Sequence, residues 1–101
     1  MTRIAAFVPD LMDRSKVAAA APGRVTFVAS AADLAGVGAD VVVVDLARPG
    51  VLDALAGLGG ARTVGFASHV DRELAAAAAA AGCREVLPRS RFFGSLPDLL
   101  A

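Results

Sequence analysis

The chain has 101 residues, enough for one domain with one hydrophobic core and too few for two. Apolar residues make up 56% of it, which excludes a disordered chain, and a single cysteine excludes a disulfide framework or a multi-cysteine metal site. Ten basic and ten acidic residues balance to zero net charge, so no overall field attracts nucleic acid or an anionic membrane.

Targeting signals are not evident. The first residues lack the long apolar core and the cleavage site of a secretory signal peptide. The longest apolar stretch, residues 74–82, is too short to cross a bilayer. We therefore expect one domain spanning residues 1–101, located in the cytoplasm, that binds neither nucleic acid nor membrane.

Strand and helix patterns alternate five times along the chain. β-branched and apolar runs predict the strands, while alanine-rich segments bounded by glycine or proline predict the helices. Ser30 is the predicted N-cap of the second helix, and Ser68 with Asp71 resembles a capping box for the fourth. Pro97 is expected to kink the fifth helix or to break it into two short pieces. The predicted strands are 3–8, 24–29, 41–45, 62–67 and 83–87, and the predicted helices are 11–21, 31–35, 51–58, 68 or 69 to 81, and 91 or 92 to 101.

The run Val41–Val44 is the clearest single element. Four consecutive valines cannot alternate between core and solvent, so this strand is covered on both faces and is central and parallel. Right-handed crossovers then give an α/β three-layer sandwich, in which five parallel strands form one sheet. The flavodoxin-like strand order 2-1-3-4-5 is the predicted arrangement.

Chemistry in such a sheet is expected beyond the carboxyl ends of the strands. The residues that follow those ends include two carboxylates, a hydroxyl, an imidazole and a guanidinium. They are Asp10, Asp45, Ser68, His69 and Arg89.

Several of these residues carry a resemblance to the receiver domains of response regulators. Asp45 ends an apolar strand and is followed, after three residues, by Pro49 and Gly50, which is similar to the phosphoacceptor strand of that family. The spacing from Gly82 to Arg89 is similar to the family's spacing from a glycine to its lysine, and Ser68 lies within one residue of its switch position. The resemblance implies a phosphoacceptor-like Asp45, an acidic-pocket Asp10, a switch-like Ser68 and a lysine-equivalent Arg89.

The chain also departs from the family pattern at that pocket. Receivers end the first strand with two acidic residues that hold Mg²⁺, whereas Pro9 and Asp10 provide one. We expect no cofactor, or at most weak Mg²⁺ binding by Asp10 and Asp45, since Mg²⁺ needs several oxygen ligands. Arg89, whose planar fork suits a carboxylate, is predicted to pair with Asp45 and make it a poor phosphoacceptor.

Other polar or reactive residues are weighed against structural roles. His69 is interpreted as a loop residue or a rim acid–base group, and Cys83 as a small half-buried apolar residue or a nucleophile. Asp13 either turns inward or, as we favour, is a solvated charge at a helix N-terminus. Of the consecutive Phe92 and Phe93, one is expected to point outward.

Three functions remain open. The first is a non-enzymatic regulatory module that resembles a receiver, acts through protein contacts and undergoes little or no phosphorylation. The second is a stand-alone receiver phosphorylated at Asp45, and the third is a small-molecule binder or enzyme that uses the same rim. A protein partner or a homodimer is expected on the face formed by the predicted fourth helix, fifth strand and fifth helix, because an alanine-rich helix permits close approach.

Overall fold

The computed structural model describes residues 2–101, which form one sheet with helices on both faces. All five strands are parallel and lie in the order β2-β1-β3-β4-β5, so the predicted fold and strand order are confirmed. The strands are β1 (Ile4–Phe7), β2 (Val25–Phe27), β3 (Val41–Asp45), β4 (Arg62–Ala67) and β5 (Glu85–Pro88).

Five α-helices and one 3₁₀ helix connect and follow these strands. The predicted second helix is the 3₁₀ helix Ala31–Val37, capped by Ser30 as expected. The predicted fifth helix is two short helices that meet at Ser95, with Pro97 in the first turn of the second, where proline is tolerated. The α-helices are α1 (Leu11–Ala20), α2 (Val51–Leu55), α3 (Arg72–Ala80), α4 (Arg89–Gly94) and α5 (Leu96–Leu99).

Strand β3 lies at the centre of the sheet, as the valine run predicts. All five of its residues are buried. Val41 and Val43 belong to the core on one face, whereas Val42 and Val44 belong to the core on the other. Both faces of this strand are therefore covered, which explains its lack of polar alternation.

The two faces carry different helices, and this division positions the site. Helices α1, α4 and α5 pack on one face, through side chains such as Val17, Phe92 and Leu96. The 3₁₀ helix, α2 and α3 pack on the other face, through side chains such as Leu34, Val51 and Ala78. Helix α1 and the β5–α4 junction are thus neighbours on one side of the sheet.

The start of α3 corrects one sequence prediction. The helix begins at Arg72, and its N-cap is Asp71, whose side chain accepts a hydrogen bond from the backbone N–H of Leu74. Ser68 and His69 lie in the exposed bend before the helix, so Ser68 does not cap it. Asp71 is the better cap because it lies directly before the alanine-rich segment, at the distance from Leu74 that an N-cap requires.

Candidate functional site: a carboxylate pocket occupied by arginines

Asp45 lies at the carboxyl end of the central strand β3, where functional residues are predicted. Its carboxylate already accepts hydrogen bonds from the chain itself. One oxygen accepts a hydrogen bond from the backbone N–H of Ala47 at 3.0 Å. The other accepts from the Nε of Arg48 at 3.3 Å. The Asp45 side chain is only 9% exposed, whereas that of Arg48 is 44% exposed. The chain therefore supplies both a donor and a positive charge to this carboxylate.

Asp10 follows β1 and serves as the N-cap of α1. Its carboxylate accepts a hydrogen bond from the backbone N–H of Asp13 at 3.0 Å, which satisfies one of the free donors in the first turn. Asp10 itself is exposed. The predicted acidic-pocket residue thus has a defined structural role at the start of the helix.

Asp13 is the site residue that our sequence interpretation placed wrongly. We favoured a solvated charge, but Asp13 is 2% exposed. It faces the sheet because Val17, one helical turn later, packs into the core from the same side of α1. That spacing of four residues from a buried valine was the available signal for an inward-facing carboxylate.

Arg89 contacts Asp13, so the predicted Arg89–Asp45 pair is wrong. The two terminal nitrogens of Arg89 donate to the two carboxylate oxygens of Asp13 at 2.8 and 2.7 Å. Arg89 begins α4, which packs on the same face as α1, whereas β4 separates β5 from the strand that carries Asp45. Because α1 and α4 share that face, the Arg89 guanidinium reaches the Asp13 carboxylate.

Aromatic rings and charge reinforce this pair. The Arg89 guanidinium lies 5.6 Å from the ring centroid of Phe66 and 5.0 Å from that of Phe93, within the range of cation–π attraction. The hydrogen bond to Arg89 lowers the pKa of the Asp13 carboxyl, although burial opposes that shift. The same hydrogen bond raises the pKa of Arg89, with smaller contributions from the charges of Asp45 and Asp10.

Hydrogen bonds within the chain engage the carboxylates of Asp13 and Asp45 on both oxygens, and that of Asp10 on one. In residues 2–101, no three His, Cys, Asp or Glu side chains are grouped closely enough to hold a metal ion. Mg²⁺ demands oxygen ligands in near-octahedral geometry, so it would compete with these donors for the carboxylates of Asp13 and Asp45.

The remaining candidates differ in exposure. Ser68 and His69 are exposed beyond β4. Cys83 is 5% exposed, so it is buried rather than half-buried as predicted, and burial raises the pKa of its thiol. Phe92 is fully buried, while Phe93 is half-buried and faces α1, with the Lys16 ammonium 5.0 Å from its ring centroid.

Known proteins match this chain in structure but not in sequence. No protein-family model matches the chain, and no curated protein is significantly similar in sequence. No helix in residues 2–101 has the length and apolar character needed to cross a membrane.

Several solved structures share the architecture over nearly the whole chain. A response regulator from Hahella chejuensis aligns with a TM-score of 0.84 and 16% identity, covering 99% of this chain and 92% of that one. The receiver domain of a response regulator from Mycobacterium tuberculosis aligns with a TM-score of 0.81 and 16% identity, covering 98% and 92%. A Burkholderia pseudomallei protein described as pilus assembly-related aligns with a TM-score of 0.77 and 22% identity, covering 99% and 87%. The resemblance predicted from the sequence is thus confirmed in the fold, and the chain has the fold of response-regulator receiver domains.

Proposed function

We propose that this chain is a non-enzymatic regulatory module with the receiver fold, that it acts through protein contacts, and that it undergoes little or no phosphorylation. The observation that carries this proposal is the engagement of Asp13 and Asp45 by the chain's own arginines. The fold provides a stable surface for protein partners. The ion pairs hold the pocket in one state, which phosphorylation does not switch.

The chemistry of phosphoryl transfer explains why these ion pairs matter. Transfer to a carboxylate needs a free attacking oxygen and a metal ion that neutralises charge on the phosphoryl group. At Asp45 both oxygens have donors, and Arg48 would have to move before reaction. At Asp13 a bidentate guanidinium occupies both oxygens, so that carboxylate is not free to bind a cation. Both the attacking oxygen and the metal ion would thus have to displace an arginine from a carboxylate.

A stand-alone receiver phosphorylated at Asp45 is the second candidate. The position of Asp45 at the end of the central strand favours it, since the resemblance implies a phosphoacceptor there. The third candidate, a small-molecule binder or enzyme that uses the same rim, stays a prediction that rests on the fold class alone.

Incubation with acetyl phosphate and Mg²⁺, followed by intact-mass measurement, separates the two candidates. We expect the mass to remain unchanged. Asp45→Ala is the matched control, because it removes the candidate acceptor and keeps the rest of the pocket. Stoichiometric addition of one phosphoryl group that disappears in Asp45→Ala would contradict the proposal and establish the second candidate.

The expected partner face is part of the same proposal. It consists of α3, β5 and the two helices α4 and α5, into which the predicted fifth helix is divided. The exposed alanines of α3, including Ala76, Ala77 and Ala80, support close approach by another chain. The phenylalanines add little there, because Phe92 is buried and Phe93 faces α1 rather than α3. The aligned Burkholderia pseudomallei protein is described as pilus assembly-related, so this fold also occurs in proteins not described as response regulators.

A further inference from the structure

A pocket lies at the amino ends of β1 and β2, and we call it the amino-end pocket. Its volume is about 260 Å³. Asp45 ends β3, so the pocket is at the opposite end of the sheet from that carboxylate. Two arginines and two threonines supply its polar side chains, and in the described part of the chain no acidic residue lines it. The lining residues are Thr2, Arg3, Gly23, Arg24, Val25 and Thr26.

The strand register brings the two arginines to the same end of neighbouring strands. Ile4 of β1 pairs with Val25 of β2, so Arg3 and Arg24 each lie one residue before that pair. The backbone agrees, because the N–H of Ile4 donates to the carbonyl of Arg24 at 3.0 Å. Like charges at neighbouring positions of adjacent strands are unfavourable. An anion bound between the two guanidinium groups would replace this repulsion by two attractions.

Neither guanidinium is neutralised within the described part of the chain. None of the three ion pairs found in residues 2–101 includes Arg3 or Arg24. Asp40 does contact Arg3, but its carboxylate accepts a hydrogen bond from the backbone N–H at 3.0 Å rather than from the guanidinium. The pocket therefore has two positive charges in its lining and one carboxylate beside the backbone of Arg3.

The chain itself holds Arg24 in position. The Nη2 of Arg24 donates to the carbonyl of Leu100 at 3.0 Å. Its backbone N–H donates to the carbonyl of Ala21 at 3.1 Å, which closes a turn through Pro22 and Gly23. The φ of Gly23 is +73°, as the third residue of a type II turn requires. A guanidinium has five N–H donors, so donors of Arg24 are left for a ligand after the contact with Leu100.

A phosphate group is the ligand that suits these donors. Guanidinium groups bind its oxygens in pairs, and threonine hydroxyls can donate to the others. A carboxylate has only two oxygens and a single negative charge, so it would leave donors and charge unmatched. Pockets for drug-sized ligands occupy about 300–1,000 Å³, so a volume of about 260 Å³ suits a small phosphate compound better than a nucleotide.

We propose that the amino-end pocket binds a phosphate group, carried by inorganic phosphate or by a small phosphate monoester. Arg3 and Arg24 are the charged contacts, and the hydroxyl of Thr26 is a further donor. This inference goes beyond the proposed function and does not depend on it, because the pocket shares no residue with the carboxylate pocket of Asp13 and Asp45. The mass measurement above and the binding experiment below can therefore fail independently.

The test uses ¹H–¹⁵N correlation spectra of the full chain. Inorganic phosphate, glycerol 3-phosphate and chloride are added in separate titrations at equal ionic strength. We expect both phosphates, but not chloride, to shift the amides of Arg3, Arg24 and Thr26 until saturation. Two charge-assisted contacts correspond to a dissociation constant on the order of 1 mM. Tighter binding of glycerol 3-phosphate would identify a monoester as the ligand, whereas equal or tighter binding of inorganic phosphate would identify the free ion.

Three single variants make the experiment specific. Arg3→Gln should weaken phosphate binding at least about tenfold, because it removes one of the two charged contacts. Arg3 is exposed, so the fold should persist. Arg24→Gln should weaken binding as much, but it also removes the contact with Leu100, so its urea unfolding is measured alongside. Arg72→Gln is the matched control, since it removes the same charge from an exposed position of α3 outside the pocket.

Four outcomes would overturn the inference. They are an absence of saturable shifts with either phosphate, the same shifts with chloride, undiminished binding by Arg3→Gln, and shifts centred on Arg48 and Arg89, which would place the anion at the carboxylate pocket. Binding that is weakened in Arg3→Gln and retained in Arg72→Gln would support it.

Discussion

Replacing Arg89 by methionine tests the ion pair that defines the pocket. The substitution keeps an unbranched apolar side chain but removes the guanidinium that lies near the rings of Phe66 and Phe93. It leaves the Asp13 carboxylate, whose side chain is 3% exposed, without its charged donor. We therefore expect Arg89→Met to destabilise the protein, whereas Asp13→Asn, which removes the charge and keeps the shape, should cost less.

The magnitude follows from the burial of the two partners. Breaking a fully buried pair costs about 3–5 kcal/mol, because one charge remains buried and unpaired. The Arg89 side chain is 37% exposed, so water enters on that side, and a cost of about 2 kcal/mol is expected. Urea unfolding of the wild type, both single variants and the double variant gives this cost and the coupling energy.

The pKa of Asp13 determines how the stability difference between wild type and Arg89→Met changes with pH. The pKa of Asp13 is lowered in the folded protein, so its contribution is present above the unfolded pKa and is lost as pH falls through the folded pKa. In Arg89→Met the hydrogen bond is gone and burial raises that pKa instead. The stability difference between wild type and Arg89→Met should therefore shrink as the pH falls from neutral toward the ordinary range of aspartate. A cost below about 0.5 kcal/mol, or one independent of pH, would refute the argument.

Two further predictions concern the core. Val43→Asp should abolish cooperative folding in circular dichroism melts, because Val43 is fully buried and the charge would have no partner. Thr26→Asp is the control and should fold, since Thr26 is exposed on the edge strand β2. A folded Val43→Asp protein would contradict the core assignment. Gly65→Ala should cost about 1–3 kcal/mol in urea unfolding, because its Cβ would lie 2.7 Å from atoms of the buried Leu46 side chain. Leu46→Ala should reduce that cost in the double variant, whereas an unchanged cost would place the strain elsewhere.

The strands were predictable because their sequence pattern is local. The valine run predicts a central strand, and β4 spans residues 62–67 as expected. Three strands are shorter than predicted: the inner strand β1 covers Ile4–Phe7, and the edge strands β2 and β5 cover Val25–Phe27 and Glu85–Pro88. Edge strands have one neighbour, so their ends depend on where pairing to β1 or β4 stops, which composition alone does not show.

The site was less predictable because its contacts join distant segments. Asp45 and Asp10 were found from their positions after apolar strands, but the partner of Arg89 depends on which helices share a face of the sheet. The first turn of α1 also inverts the usual pattern, since Leu11 and Met12 are exposed while Asp13 is buried. Patterning rules place apolar residues inside, so both the buried carboxylate and the exposed apolar pair contradict the local signal.

If the arginines keep Asp45 from reacting, removing them should restore reactivity. Arg48→Ala frees one oxygen of Asp45, and Arg89→Lys replaces the bidentate contact by a single donor, which frees an oxygen of Asp13. Adding Pro9→Asp supplies a further carboxylate at the end of β1, so Mg²⁺ gains oxygen ligands. We expect acetyl phosphate to modify this triple variant at least about tenfold faster than any modification of the wild type, equivalent to an activation barrier lower by about 1.4 kcal/mol. The same triple variant with Asp45→Ala is the control and should remain unmodified. A triple variant that keeps its circular dichroism spectrum yet takes up no phosphoryl group would show that something other than these two arginines prevents the reaction.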